Sequence, residues 1–205
     1  MSGLSTSVAY MLEYLKSIEE RREKIIKGSR DALLLCSKAV VNIHMKRMEE
    51  ASEKIENAKI LIDELRAVAG EDLRSHIVQI ETEWVEASTL HSILNNNKIP
   101  SLEDLKVDVR SYILGLLDCI GELKRQVYDR VREGDSDSAL RIFSVMDDLY
   151  SSLLQFAMYD NIIHGVRKKV DVARILLEDV RAMITEEARR MAIIESIDSI
   201  KAKMP

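Results

Sequence analysis

An all-α fold is predicted from the composition, from the spacing of the apolar residues and from the scarcity of helix-breaking residues. Hydrophobic residues make up 46% of the 205-residue chain, which is enough for a packed core, and charged residues make up 32%. There are only two prolines and seven glycines, and aromatic residues amount to 4%. Because strand-rich folds need frequent turns and aromatic or β-branched runs, we predict one helical domain over residues 1–205.

Apolar residues recurring every three or four positions predict about seven helices. The first helix starts after Ser5–Ser7 and runs through the forties. The others cover about 49–68, 71–94, 101–132, 137–158, 166–183 and 185–203. Gly28 falls inside the first helix without ending it, whereas Gly70 stops the second. The Asn-rich residues 95–100 form a loop, and Ser101 with Asp104 resembles a capping box. A first helix of this length leaves an apolar face that a second copy would cover, so we expect oligomerisation.

The charge and the cysteines limit the classes of function. The net charge is −5, so any nucleic acid must meet a local basic patch rather than a general positive field. Cys36 and Cys119 lie in apolar runs and are predicted to be buried free thiols. No stretch is apolar enough to cross a membrane, and the N-terminus lacks the features of a signal peptide. We therefore expect a cytoplasmic protein without a membrane partner.

Two pairs of acidic residues lie in unusually apolar surroundings. Glu83 and Glu86 flank the only tryptophan, in ETEWVEAS, and Asp118 and Glu122 lie in SYILGLLDCIGELKR. Asp118 and Glu122 share a helix face with Ser111, Gly115 and Arg125. One interpretation is a solvated face with an ion pair to Arg125. The other is that the small residues let a second helix approach, so that four carboxylates form one site.

Carboxylates grouped in this way would need cations. They repel one another when unpaired, and oxygen ligands suit Mg²⁺ or Mn²⁺, which can activate water against a phosphate. No HExxH, P-loop or GxSxG motif is present. His91 lies on the apolar face of its helix and is predicted to be a core histidine. Basic clusters at 21–30, 46–47 and 167–169 alternate with acids, which is typical of solvated faces.

The segment SYILGLLDCIGELKRQVYDRVREGD closely resembles the signature helix of the translin/TRAX family, on the TRAX side. GEDLRSHIVQIETEWVEA and KGSRDALLLCSKAVVNIH resemble two earlier helices of that family, and the resemblance covers about residues 10–183. It implies a seven-helix fold, assembly into hollow octamers that enclose RNA, and Mg²⁺-dependent ribonuclease activity. The family's catalytic and metal-binding acids fall on four residues here: Glu83, Glu86, Asp118 and Glu122. Its RNA-facing basic surface falls near Arg30, Lys38 and His44.

The resemblance therefore implies a metal-dependent endoribonuclease that cleaves single-stranded or gapped RNA inside a hollow oligomer, with Mg²⁺ or Mn²⁺ as cofactor. The chain lacks the family's basic N-terminal tail and its loop insert near residues 95–103, so a homo-octamer is favoured over assembly with a separate partner. One alternative is a non-catalytic, translin-like oligomer that binds single-stranded RNA or DNA. Another is a helical scaffold that binds protein.

Overall fold

The computed structural model describes residues 2–202, which form seven α-helices and two 3₁₀ helices and include no strand. The α-helices are α1 Ser2–His44, α2 Met48–Ala69, α3 Val78–Leu94, α4 Leu102–Leu105, α5 Val109–Glu133, α6 Ser136–Leu153 and α7 Val166–Lys201. The 3₁₀ helices are Arg74–His76 and Leu154–Tyr159. The predicted all-α class is confirmed. Within the described part of the chain, no helix is both long and apolar enough to cross a membrane.

The chain divides into two compact units, each interrupted in sequence. Unit 1 contains the residues up to His91 together with Pro100–Gly115, and unit 2 contains Ser92–Ile99 together with the residues from Leu116 onward. Two of the three boundaries fall inside helices, in α3 and α5, and the third falls in the loop before α4. That residues 1–205 form one domain stays a prediction.

The core of unit 1 is built on the helical hairpin of α1 and α2. Short side chains at the contact allow a close approach: Ala32 and Ala39 on α1, and Ala51 and Ala58 on α2, have no exposed surface. At Gly28 a β-carbon would lie 2.7 Å from Leu65 Cδ2. A glycine therefore fits within α1 because α2 passes over it, and the helix continues through it as predicted.

A buried carboxylate fixes α3 against the start of α5 in unit 1. Glu81 has no exposed surface. It accepts hydrogen bonds from Arg66 Nε (2.7 Å), from Ser111 Oγ (2.9 Å) and from the backbone N–H of Asp108 (3.1 Å). A buried charge is tolerated only when it is paired and hydrogen-bonded, and here both carboxylate oxygens are satisfied.

The contact between α3 and α5 is unusually close at Gly115. A β-carbon there would lie 2.5 Å from the carbonyl oxygen of Thr82 and 2.6 Å from Val85 Cβ. Ser111, one turn earlier on α5, is fully buried. The small residues of α5 thus admit a neighbouring helix, as the second interpretation of this helix face predicted, and that neighbour is α3.

Unit 2 contains the remainder of α5 with α6 and α7. Asp135 caps α6 by accepting a hydrogen bond from the backbone N–H of Ser138, and Gly134 before it adopts a positive φ of 80°. The buried apolar residues of α6 and α7 form the core, including Ile142, Met146, Leu177 and Val180. Lys124 of α5 pairs with Asp179 of α7, which also accepts a hydrogen bond from Tyr128 Oη.

Four helix boundaries differ from the prediction. Residues 71–77 form a turn and a 3₁₀ helix instead of the start of α3, and residues 154–159 form a 3₁₀ helix instead of the end of α6. The capping box at Ser101 is present but starts a helix of four residues, because Lys106 is left-handed with φ 52°. Thr185 does not start a helix, since its Oγ1 bonds back to the carbonyl of Arg181 and α7 continues.

Candidate functional site: two carboxylate pairs and two basic surfaces

The first carboxylate pair lies on α3 in unit 1. From Ile80 to Leu90 every residue is buried except Glu83 and Glu86, which are half-buried and one helical turn apart. Trp84 between them is only 3% exposed, and its Nε1–H donates to the carbonyl of Ile55 at 3.2 Å. This anchor fixes the rotation of α3, so the two carboxylates occupy the only partly open positions between Ile80 and Leu90.

The charges of this pair reach the buried thiol of Cys36 on α1. Burial, together with the negative charges of Glu83 and Glu86, raises the pKa of Cys36 to about 12. Cys36 is only 1% exposed. The negative charges of Glu83 and Glu86 therefore act on a buried group of α1, and not on open solvent alone.

The second pair lies on α5 in unit 2. Asp118 and Glu122 are half-buried, whereas Leu117, Cys119 and Ile120 beside them are buried. Asp118 Oδ1 is paired with Lys169 Nζ of α7. Its ion-pair partner is thus a lysine 51 residues away in the sequence, whereas the solvated-face interpretation suggested Arg125 as the partner of Asp118 or Glu122.

A cavity of about 410 Å³ adjoins this pair within unit 2. Its charged lining residues are Asp118, Lys168 and Lys169, and its remaining lining includes Gly121, Gly165 and apolar side chains of α7. The basic cluster at 167–169, interpreted from the sequence as a solvated face, therefore places two of its three cations beside a candidate catalytic acid.

The donor chemistry of each pair fits Mg²⁺ or Mn²⁺. Among residues 2–202, no group of three or more His, Cys, Asp or Glu side chains is placed to hold a metal ion. Each pair on its own supplies two carboxylates, however, and Mg²⁺ is commonly bound by one or two carboxylates together with water and phosphate oxygens. One carboxylate oxygen of Asp118 already pairs with a cation, the ammonium group of Lys169.

The three residues predicted to bind RNA lie on α1. Arg30 and Lys38 are exposed, and His44, the last residue of the helix, is half-buried. At ~100° per residue the three fall within an arc of roughly 120°, so one ligand can reach all of them. Leu34 and Val41, respectively 52% and 49% exposed, lie on the same arc. We call this arc the α1 basic surface.

Sequence reasoning missed two residues that organise these sites. Glu81 occurs four residues after Ile77 and three before Trp84, so helical spacing places it on an apolar face and could have predicted its burial. Lys169 gave no such signal, because its contact with Asp118 depends on how α7 packs on α5.

His91 was predicted as a core histidine. It is half-buried, with Nε2 positioned to donate to the Met48 carbonyl at 3.1 Å.

The fold and the site define the class of protein: an all-α protein whose candidate metal ligands are paired carboxylates on α3 and α5. The chain belongs to the translin family, whose profile matches residues 20–184. In Methanocaldococcus jannaschii, the uncharacterized protein MJ0175 is 30% identical over 195 residues, covering 94% of this chain and 87% of that protein. The predicted membership of the translin/TRAX family is confirmed.

Solved structures agree with this assignment. AfC3PO in complex with duplex RNA and AfC3PO alone each match with a TM-score of 0.83 and 27% identity over 90% of this chain, covering 97% and 98% of theirs. The structure of apo-NeC3PO matches with a TM-score of 0.77 over 88% of this chain and 96% of its own. At 21% identity, that last likeness shows the fold alone.

Proposed function

We propose that this protein is a Mg²⁺-dependent endoribonuclease. The observation that carries the proposal is the setting of Glu83 and Glu86: they are the only residues between Ile80 and Leu90 that are not buried. A solvated face would leave more than these two positions of the stretch open to solvent. Asp118 and Glu122 form a second such pair, and carboxylate oxygens are the ligands that Mg²⁺ or Mn²⁺ prefers.

Each group has a part in the proposed reaction. Each carboxylate pair, Glu83 with Glu86 and Asp118 with Glu122, would hold a metal ion, which when bound supplies an activated water and stabilises charge on the phosphate. The apolar residues around the carboxylates, such as Trp84 and Ile120, limit the access of bulk water. Partial burial also strengthens the electrostatic interaction between carboxylate and cation.

RNA is the proposed substrate. A protein 27% identical to this chain, AfC3PO, has been solved with duplex RNA. On this chain the α1 basic surface offers exposed Arg30 and Lys38 for phosphate contacts. We extend RNA binding to this chain and propose single-stranded or gapped RNA as the cleaved form.

Replacing Arg30 with Glu should weaken RNA binding, and the effect should be largest at low salt. Unchanged binding would show that Arg30 takes no part in binding RNA.

A homo-oligomer is proposed as the working form. The structure exposes large apolar side chains at the start of α1 and along the last turns of α7: Leu4, Tyr10, Met11, Leu12, Leu15, Ile193, Ile194, Ile197 and Ile200. Exposed apolar patches of this extent mark association surfaces. A second copy of the chain would cover them, and a homo-octamer is the arrangement that the family resemblance implies.

The direct test is cleavage of labelled RNA by the purified protein. We expect cleavage of single-stranded and gapped RNA with Mg²⁺ or Mn²⁺ and none with a chelator. A nuclease contaminant is controlled by the Glu83→Gln protein prepared in parallel. RNA that stays intact under every metal condition would contradict the proposal.

The second candidate is a translin-like oligomer that binds single-stranded RNA or DNA without cutting it. The α1 basic surface favours this alternative, because its exposed cations do not depend on the carboxylates. The same assay separates the two functions. A protein that retains labelled RNA or DNA on a filter but leaves it intact is a binder.

A further inference from the structure

The ion pair between Lys169 and Asp118 is the starting point. It joins α7 to α5 within unit 2, and the two side chains are 36% and 26% exposed. A half-buried carboxylate is costly without a counter-charge, and Lys169 provides one. No local sequence pattern requires a lysine there, since the two residues are 51 positions apart.

A metal ion on Asp118 would compete with this lysine. Both cations seek the same carboxylate, and two positive charges within a few ångströms repel strongly in a partly buried setting. We propose that Lys169 is a resident counter-ion that a divalent metal displaces from Asp118, and that the released ammonium group then binds a phosphate of the RNA backbone. This inference rests on the proposed function, because it takes Asp118 as a metal ligand.

The cavity beside the ion pair provides the place for that phosphate. Its volume is about 410 Å³, and Lys168 and Lys169 both line it. Two lining positions are glycines that leave space: a β-carbon at Gly165 would meet nothing within 4 Å, and one at Gly121 would find its nearest neighbour at 3.9 Å. The flexible four-carbon stem of lysine allows Lys169 to turn from Asp118 toward this space.

The charge balance of the cavity changes with the metal. Without metal, Asp118 neutralises Lys169 and leaves Lys168 as the remaining charged lining residue. Once metal occupies Asp118, both ammonium groups are available to an anion. Metal binding and phosphate binding therefore support each other, as linked equilibria require.

Unit 2 contains a matched control for this ion pair. Lys124 also pairs with an aspartate across α5 and α7, but its partner Asp179 is 50% exposed and accepts a second hydrogen bond from Tyr128. That pair belongs to neither carboxylate pair nor the cavity lining. Changes at Lys124 should therefore affect only the packing of α7 on α5.

The first experiment measures Mn²⁺ binding to the full chain by titration calorimetry, without RNA. Replacing Lys169 with Met should tighten Mn²⁺ binding about fivefold, because the competing ion pair is removed. Lys169→Arg and Lys124→Met should bind Mn²⁺ like the wild type. Circular dichroism and urea unfolding confirm that each variant is folded. Equal or weaker Mn²⁺ binding by Lys169→Met, or no Mn²⁺ binding by the wild type, would overturn the proposal that a metal displaces Lys169 from Asp118.

The second experiment is a double-mutant cycle on RNA binding in chelator, where no cleavage occurs. A labelled oligouridylate is the probe, with the wild type, Asp118→Asn, Lys169→Met and the double variant. Lys169→Met should weaken RNA binding several-fold in the Asp118→Asn background and change it less than about twofold otherwise. Equal effects in both backgrounds would show that Asp118 does not hold Lys169 back from RNA.

The two binding experiments can fail or succeed independently of the proposed nuclease function. Neither measurement depends on cleavage. If the wild type never cuts RNA but both binding results are as expected, the nuclease proposal is wrong and the displacement of Lys169 by metal is supported. If the wild type cuts RNA with metal but neither binding result is as expected, only the displacement of Lys169 is wrong.

Discussion

Glu81 and Cys36 show how buried polar groups support the fold at the scale of single residues. Glu81 is fully buried, and its charge is satisfied by Arg66, Ser111 and the backbone of Asp108. Cys36 is buried in its neutral form, because burial and nearby acids disfavour the thiolate. Glu83 and Glu86 differ from both, since they stay half-buried and carry their charge at the edge of the same core.

Replacing Glu81 with Gln should destabilise the protein by about 3 kcal/mol, since the half-buried Arg66 loses one of its two charged partners and the amide nitrogen faces hydrogen-bond donors. Urea unfolding measures this free energy. The control is Glu53→Gln, because the Glu53 side chain is 62% exposed and should contribute within about 0.5 kcal/mol. Equal stability of the two variants would contradict a structural role for Glu81.

The thiol of Cys36 should be nearly inert in the folded protein. A pKa raised from 9.0 to about 12 leaves about a thousandfold less thiolate at pH 8, and burial slows access further. Iodoacetamide labelling, located by peptide mass spectrometry, should modify Cys36 only after unfolding. The same shift lowers stability as the pH rises from 9 toward 12, because the unfolded state loses this proton first. Labelling of the native protein at the unfolded rate would contradict the assignment.

At the scale of elements, the sequence predicted the helices wherever the boundary signal is local. Gly70 ends α2 as predicted, and the capping box of Ser101 and Asp104 is present, although the helix that it starts has only four residues. The break at Lys106 was missed because it depends on tertiary contacts: the backbone N–H of Asp108 is bound by Glu81 on another helix. The division of α7 was predicted wrongly because Thr185 bonds within the helix instead of capping a new one.

The candidate site was predictable to a similar degree. Helical spacing identified each carboxylate pair, and the small residues Ser111 and Gly115 indicated that a helix would approach α5. The sequence alone left the solvated-face interpretation open, because burial depends on which helix covers that face. The partner of Asp118 could not be predicted either, since Lys169 is brought to it by packing of distant segments.

Gly115 provides the test at this scale. Gly115→Ala should destabilise the protein by about 2 kcal/mol, because the added carbon would lie 2.5 Å from the backbone oxygen of Thr82. Gly121→Ala, on the same helix, has its nearest neighbour at 3.9 Å and should be neutral or more stable by up to about 1 kcal/mol. Thermal and urea unfolding compare the two. If both variants behaved alike, the close approach of α3 and α5 would be wrong.

At the scale of the whole molecule, the exposed apolar surfaces of α1 and α7 favour association with further copies of the chain. Ile193 and Ile200 are each 60% exposed, and Leu4 is 73% exposed. A chain of net charge −5 has no strong self-repulsion to prevent association through such surfaces. Their distribution at the ends of the two longest helices suits assembly of several copies.

Multi-angle light scattering should therefore return a mass several times that of the 23.4 kDa chain at micromolar concentration. Replacing Ile193 and Ile197 together with Lys should shift the mass downward, because charged side chains would have to be buried in the interface. A single species of 23.4 kDa in the unmodified protein at every concentration would contradict oligomerisation.

The central claim is that the two carboxylate pairs carry metal-dependent RNA cleavage. The most direct measurement is the Mg²⁺-dependent cleavage rate of labelled RNA by Glu83→Gln, Glu86→Gln, Asp118→Asn and Glu122→Gln, compared with the exposed Glu53→Gln. Amides keep the shape but bind metal weakly, so each of the four should lose cleavage while retaining its fold, and Glu53→Gln should match the wild type. Full Mg²⁺-dependent activity in Asp118→Asn, or five variants that behave alike, would contradict the claim.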